Sequence, residues 1–281
     1  MPAIAMSRIF GFIGNRADLG PRITQAHADL LRVPREPGTA IGWGIGFYQS
    51  GEMLLRRRPL DDHDVLDLAG AAQQVRTDLL LAQVRHPNVG ALREENTQPF
   101  RYRSWLFAHT GTIEQFEHLR PKLLAAQPEF LRRNVLGETD SEVLFYTFLS
   151  YLYDAGHLSN PSVDASHLRV ALRSTFELLD RLASEDGSLR HRGNVVIADA
   201  DCLIAAHRDA TMAFSVLEGR RGLEDILSVD ELGSYRALNI EQTRFCVIAS
   251  EPEVLPQRFV PLPADSMVTL TRSDEPLVEP L

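Results

Sequence analysis

Gly42-Trp43-Gly44-Ile45-Gly46-Phe47-Tyr48 alternates glycine with large apolar residues. A period of two is the signature of a strand, and glycine on one face marks a place where another backbone or a ligand comes close. The stretch lacks G-x-G-x-x-G spacing and no helix pattern follows it, so it is not a dinucleotide fingerprint. Strand-like runs lie on both sides: Ile9 to Ile13 and Leu79 to Val84, then Trp105 to His109. Further on, Asn194 to Ala198, Cys202 to His207, Arg244 to Ser250 and Met267 to Thr271 read the same way.

Helical patterning sits between these groups. Glu114 to Leu136 is mostly helical in pattern. Thr139 and Glu142 have capping-box spacing ahead of the apolar run Val143 to Tyr153, which predicts a helix start. Ser166 to Ser184 places Leu168, Ala171, Leu172, Phe176 and Leu179 near a 3.6 period. Strands first, helices in the middle and strands again is not regular βαβ alternation, so the expected class is α+β. No linker composition divides the chain, so one domain over residues 1–281 is expected, with an extension at 1–6 and an irregular tail at 273–281.

The chain has 281 residues, 44% apolar and 24% charged, enough to bury a sizeable core. Its formal net charge of −9 argues against a nucleic-acid surface. The run Arg56-Arg57-Arg58 is followed by Asp61, Asp62 and Asp64 and reads as a solvated face. No stretch approaches the ~20 apolar residues of a membrane span. No secretory leader pattern opens the sequence, and a cytoplasmic location is expected. Cys202 and Cys246 lie in apolar runs and read as buried free thiols. No metal-binding spacing and no cofactor signature appears, so neither a metal nor a cofactor is expected.

Seven segments, in this order, resemble the class II glutamine amidotransferases, the small stand-alone ones above all. They are Ser7-Arg8-Ile9-Phe10-Gly11, Gly42 to Tyr48, Val84-Arg85, Asn96-Thr97-Gln98-Pro99-Phe100, Trp105 to Gly111, Gly137 to Glu142, and Ala249-Ser250-Glu251-Pro252. The resemblance implies a four-layer αββα sandwich of the N-terminal nucleophile hydrolase type. It implies catalytic positions at Ser7, Thr110 and Gly111, and substrate-binding positions at Arg85, Asn96, Thr97 and Asp140. In that family a cysteine attacks the glutamine amide, and its own α-amino group, titrating near ~8, is the base. An asparagine side chain and the next glycine N–H hold the oxyanion. An arginine grips the α-carboxylate, and an aspartate at a helix start takes the α-ammonium.

The chain departs from that pattern in four ways. Ser7 replaces the cysteine, and a hydroxyl is the weaker nucleophile at neutral pH. Ser7 also follows six residues, and an amide nitrogen is no base. Thr110 replaces the oxyanion asparagine, a loss of roughly 3 kcal/mol in comparable sites. Gln98 stands where a histidine usually precedes Pro-Phe. Taken singly, Arg85 reads as an ion-paired strand arginine and Asp140 as a residue complementing a helix dipole. Trp43 and Phe47 read as core aromatics ahead of pocket walls, and His109 as a satisfied buried histidine. The implied ligand is a small amino acid or γ-glutamyl compound, with a protein partner as the other class. The readings are a binding protein with glutaminase activity weak or lost, an active N-terminal-serine amidohydrolase, and, ranked last, a subunit feeding ammonia to a synthetase.

Overall fold

The structure is a computed structural model and describes residues 7–31, 41–60, 68–72, 75–85, 90–160, 162–208, 211–228, 239–251 and 254–281. The expected extension at 1–6, the acidic residues Asp61, Asp62 and Asp64, and Pro252 lie outside the described residues. In chain order the elements are β1 (Arg8–Gly14), α1 (Gly20–Ala26), β2 (Ile41–Gln49), β3 (Glu52–Leu60), α2 (Leu68–Ala72), β4 (Leu79–Arg85), β5 (Phe100–Tyr102) and β6 (Trp105–Thr112). They continue with α3 (Phe116–Ala125), α4 (Glu129–Arg132), α5 (Asp140–Asp154), α6 (Ala165–Glu185), β7 (Arg192–Ala198), β8 (Cys202–His207) and β9 (Met212–Glu218). The last are α7 (Gly219–Leu223), β10 (Arg244–Ser250), β11 (Val260–Pro261), β12 (Ser266–Thr271) and β13 (Leu277–Pro280).

Two antiparallel sheets form, in the orders β11-β9-β10-β1-β4-β2-β3 and β13-β12-β8-β7-β6-β5. The period-two alternation of each strand sorts its side chains between layers. Ile9, Ile13, Leu79 and Leu81 meet Leu106, Ala108, Val196 and Leu203 between the sheets. Phe10, Phe12, Leu80, Ala82 and Val84 pack outward beneath α1 and α7. Phe107, Val195 and Ile204 pack outward against α3, α5 and α6. The expected αββα arrangement is therefore present. β1 and β4 are buried along their whole length because both faces are covered, which is why they read as continuous apolar runs.

The glycines of β2 face inward. A Cβ on Gly46 would come within 2.6 Å of the Leu106 side chain, and one on Gly44 within 2.3 Å of the Gln98 carbonyl oxygen. The close approach read from the sequence is thus to backbone. Gly44→Ala should destabilise the fold by about 2–3 kcal/mol, because a backbone carbonyl cannot step aside as a flexible side chain can. Denaturant melts check this, and a loss below about 0.5 kcal/mol would contradict the contact. Trp43 and Phe47, on the opposite face, belong to the outer core and not to a pocket wall.

Thr139 caps α5, its side chain accepting from the Glu142 N–H at 3.3 Å. The Glu142 carboxylate does not return the bond; it accepts from the N–H groups of Leu136 (3.1 Å) and Gly137 (2.6 Å), folding the preceding turn onto the helix. Thr139→Ala should cost about 1 kcal/mol in a urea titration, and an unchanged midpoint would show the cap to be idle.

Three expectations need correction. The helical stretch Glu114 to Leu136 breaks between α3 and α4, because Gln127 precedes Pro128 and is pushed out of helical geometry. Gln127 instead donates to the Val143 carbonyl and the Thr147 hydroxyl of α5, both at 3.1 Å. The tail is not irregular: β13 pairs with β12 from Ser266↔Pro280 to Thr269↔Leu277. Its proline ends an edge strand, where no ladder bond is needed. Arg56 to Arg58 lies in edge strand β3; Arg56 and Arg58 are exposed, but Arg57 turns in to donate to the Thr97 carbonyl at 3.2 Å. Cys202 and Cys246 are both buried and free.

Candidate functional site

At one end of the sandwich the inward-facing residues change from apolar to polar. On β4, Leu79 and Leu81 point between the sheets, so Gln83 and Arg85 do as well. On β1, Ile9 and Ile13 point inward, which gives half-buried Ser7 the same direction. Continuing the register one residue beyond Arg8↔Val84 sets Ser7 level with Arg85. On the facing sheet, Leu106 and Ala108 point inward, and Thr110 follows them. Its register partner is Asn194, whose Oδ1 accepts from the Arg208 N–H at 3.2 Å. Ser250 closes the ring by accepting the Ile9 N–H at 2.8 Å. The two sheets thus bring Ser7, Arg85 and Thr110 to one end.

Arg85 is 3% exposed, and its guanidinium donates toward the carbonyls of Gly90 (3.3 Å) and Ala91 (3.5 Å). Burial pulls it below the ordinary arginine range, and the charge of Asp140 opposes that shift. Asp140, 2% exposed at the start of α5, accepts from the Ile113 N–H at 2.8 Å, the Ser141 N–H at 2.8 Å and the Ser141 hydroxyl at 3.3 Å. A carboxylate has about four lone-pair directions, so these three bonds fix it and leave room for about one further donor. A buried arginine fork and a carboxylate with about one lone-pair direction left are the chemical complements of a carboxylate and an ammonium group.

Asn96 and Thr97 are buried, and their observed bonds go to backbone. Asn96 donates to Ala91 O at 2.9 Å and accepts from the Glu138 N–H at 2.8 Å, tying the loop to the start of α5. Thr97 donates to Arg93 O at 2.8 Å. Both build the walls that hold Arg85 and Asp140. Gln98 has a similar part: its amide donates to His109 O at 3.1 Å and accepts from His109 N at 2.6 Å. A carboxamide thus clamps the strand from which Thr110 projects, and the change from the usual histidine leaves the site supported.

The Thr110 hydroxyl is buried and has no hydrogen-bond partner among the described residues. Gly111 adopts φ 114°, where a Cβ would meet the Arg192 carbonyl oxygen at 2.5 Å. On the helix side, His109 Nδ1 lies 2.8 Å from Ser141 Oγ. That hydroxyl in turn lies 3.3 Å from Asp140 Oδ1, so His109 joins β6 to the start of α5 through Ser141. His191 sits 5.2 Å from His109, and burial, then His109 and Arg208, hold it well below the ordinary imidazole range and uncharged.

Sequence reading gave no role to Gln83, Asn194 or Ser250, although Ser250 lies in one of the matching segments. The signal for Gln83 was a lone polar residue in an apolar strand, two before Arg85 and so on the same face. Among the described residues no three His, Cys, Asp or Glu gather as a metal site, and no helix is long and apolar enough to cross a membrane. A separate cavity of about 500 Å³ lies on the outer side of the larger sheet, lined by His27, Leu30, Ser215, Leu217, Ile226 and Phe259 among others. It shares none of the residues just described.

The fold is that of the N-terminal nucleophile hydrolases found among glutamine amidotransferases. Aligned structures include a glutamine aminotransferase class-II domain protein from Silicibacter pomeroyi, at TM-score 0.61 and 20% identity, covering 97% of this chain and 98% of that one. The glutamine phosphoribosylpyrophosphate amidotransferase of B. subtilis aligns at TM-score 0.58 and 15% identity, over 97% of this chain and 49% of that one. The profile of the class-II glutamine amidotransferases matches residues 34–270, and the chain belongs to that family. A probable glutamine amidotransferase of Saccharomyces cerevisiae, DUG3, is 31% identical over 161 residues, 55% of this chain and 45% of the yeast protein. The matched stretch therefore spans less than half of that relative.

Proposed function

We propose that the chain holds glutamine or a γ-glutamyl compound by its α-amino acid end, between Arg85 and Asp140, with glutaminase activity weak or lost. The observation that carries this reading is the buried Arg85 fork beside an Asp140 carboxylate already oriented by three hydrogen bonds. Two buried groups of opposite charge add little to stability and a great deal to recognition of a zwitterion. The loss of turnover follows from Ser7 and Thr110. A serine hydroxyl needs a base, and with residue 6 attached its nitrogen is an amide. The Thr110 side chain is shorter than asparagine and supplies one rotating donor.

The second reading, an active N-terminal-serine amidohydrolase, is favoured by the position of Ser7 level with Arg85 on the inward face. It requires a chain that begins at Ser7, so that the amine is free to take the hydroxyl proton. One experiment separates the two. Intact mass is taken of protein purified from its own host, and the same sample is assayed for ammonia release from L-glutamine and for γ-glutamyl hydrolysis. Our reading expects Pro2 to Met6 to be retained, binding to persist in Ser7→Ala, and release at background. A mass beginning at Ser7, with turnover lost in Ser7→Ala, would establish the hydrolase instead.

A further inference from the structure

Gln83 is fully buried, and neither its Nε2 nor its Oε1 has a hydrogen-bond partner among the described residues. Buried side-chain amides are almost always satisfied, and leaving donor and acceptor unmet costs stability on both counts. The surroundings explain where this amide points. Its register neighbours are Ile9 on β1 and Gly44 on β2, both on the face between the sheets. The inward face of Gly44 touches the Gln98 carbonyl, and Gln98 is clamped to His109. The next residue, Thr110, carries a second unpartnered buried polar group on the inward face of its strand. Two orphaned neutral polar groups therefore occupy inward-facing positions of opposite sheets, at the same end as Ser7 and Arg85.

From this we infer that the Gln83 carboxamide, assisted by the Thr110 hydroxyl, is the recognition group for the side-chain amide of the ligand held by Arg85 and Asp140. The inference rests on the reading of that site as an amino-acid receptor. Gln83 precedes Arg85 by two residues, about 7 Å along a strand. That is the order of length of an extended five-carbon amino acid between its two carboxyl-derived ends. A ligand anchored at Arg85 thus presents its far end to Gln83. A primary amide carries an N–H on the same side as its carbonyl, so it can pair with Gln83 through two parallel bonds. Gln83 Nε2 donates to the ligand carbonyl and Oε1 accepts from the ligand N–H. A trans secondary amide has those groups on opposite sides and makes only one of the two bonds. A carboxylate offers no N–H to Gln83 Oε1 and so also makes only one of the two bonds. The site should therefore prefer glutamine to γ-glutamylethylamide and to glutamate.

Calorimetric titration of the full chain with L-glutamine, γ-glutamylethylamide and L-glutamate tests this, using wild type, Gln83→Met, Thr110→Val and Arg85→Ala, with a thermal melt of each. Gln83→Met replaces the amide by an apolar side chain of similar length. It should weaken glutamine binding roughly 10- to 100-fold while leaving Tm unchanged or higher. Thr110→Val should weaken glutamine severalfold without loss of fold. Glutamine binding equal to wild type in Gln83→Met, or unfolding of that variant, would overturn the assignment. If Gln83→Met is neutral while Arg85→Ala abolishes binding, the receptor reading stands and the Gln83 role alone falls. If wild type binds none of the three compounds, or Arg85→Ala binds as wild type does, the receptor reading falls and this inference with it.

Discussion

Arg85→Ala should weaken L-glutamine binding by roughly 100-fold or more, measured by calorimetry, while the protein stays folded. The size follows from where the side chain is held. Arg85 ends the interior strand β4 and is 3% exposed, so its charge meets a ligand carboxylate with little competing water. The Gly90 and Ala91 carbonyls hold its planar fork before any ligand arrives. The fold should survive because Asp140 keeps its bonds from Ile113 and Ser141 when the arginine is gone. Arg85→Lys should recover only part of the affinity, since a point charge on a flexible stem cannot pair with a carboxylate through two parallel bonds. Affinity within threefold of wild type for Arg85→Ala would remove the anchor from the account.

The largest expected effect on stability is at Phe145. Its side chain is fully buried in α5, stacked on Phe107 of β6 with ring centroids 5.1 Å apart and lying 5.5 Å from Tyr146. Truncation to alanine removes an aromatic from the contact that fastens α5 to the smaller sheet. A loss of about 3–5 kcal/mol is expected, a large share of the stability of an ordinary domain. The same helix carries Asp140 at its first turn, so ligand binding should weaken with the packing. Leu136→Ala is the control: that side chain is 75% exposed and its removal should change stability by less than about 0.5 kcal/mol. Equal urea midpoints for Phe145→Ala and Leu136→Ala would contradict the packing described for this layer.

What was legible in the sequence was either local or doubly buried. Thr139 and its helix could be read because a cap needs only its next three residues. β1 and β4 could be read because burial on both faces leaves no polar interruption except the informative Gln83. β3 and β13 escaped because edge strands face water: arginines and exposed Leu277 and Val278 carry no inward stripe. The break before Pro128 was written locally, but what it serves, the reach of Gln127 to α5, is tertiary. Arg85 and Asp140 were singled out through the family pattern, and the structure places both in buried positions at the same end of the sandwich. The polar ring around them was hidden because it depends on pairing across the chain: Ile9 and Ser250 meet although 241 residues separate them. Asn96 and Thr97 were singled out from the family pattern and Gln98 as a departure from it, yet the bonds these three make run to Ala91, Arg93, Glu138 and His109.

The central claim is that an amino acid sits at the polar end of the sandwich, and a crystal structure of the protein with L-glutamine tests it most directly. The account predicts the α-carboxylate on the Arg85 guanidinium and the α-ammonium on Asp140. Glutamine seated elsewhere, as in the cavity lined by His27, Ser215 and Phe259, with Arg85 and Asp140 untouched, would contradict it.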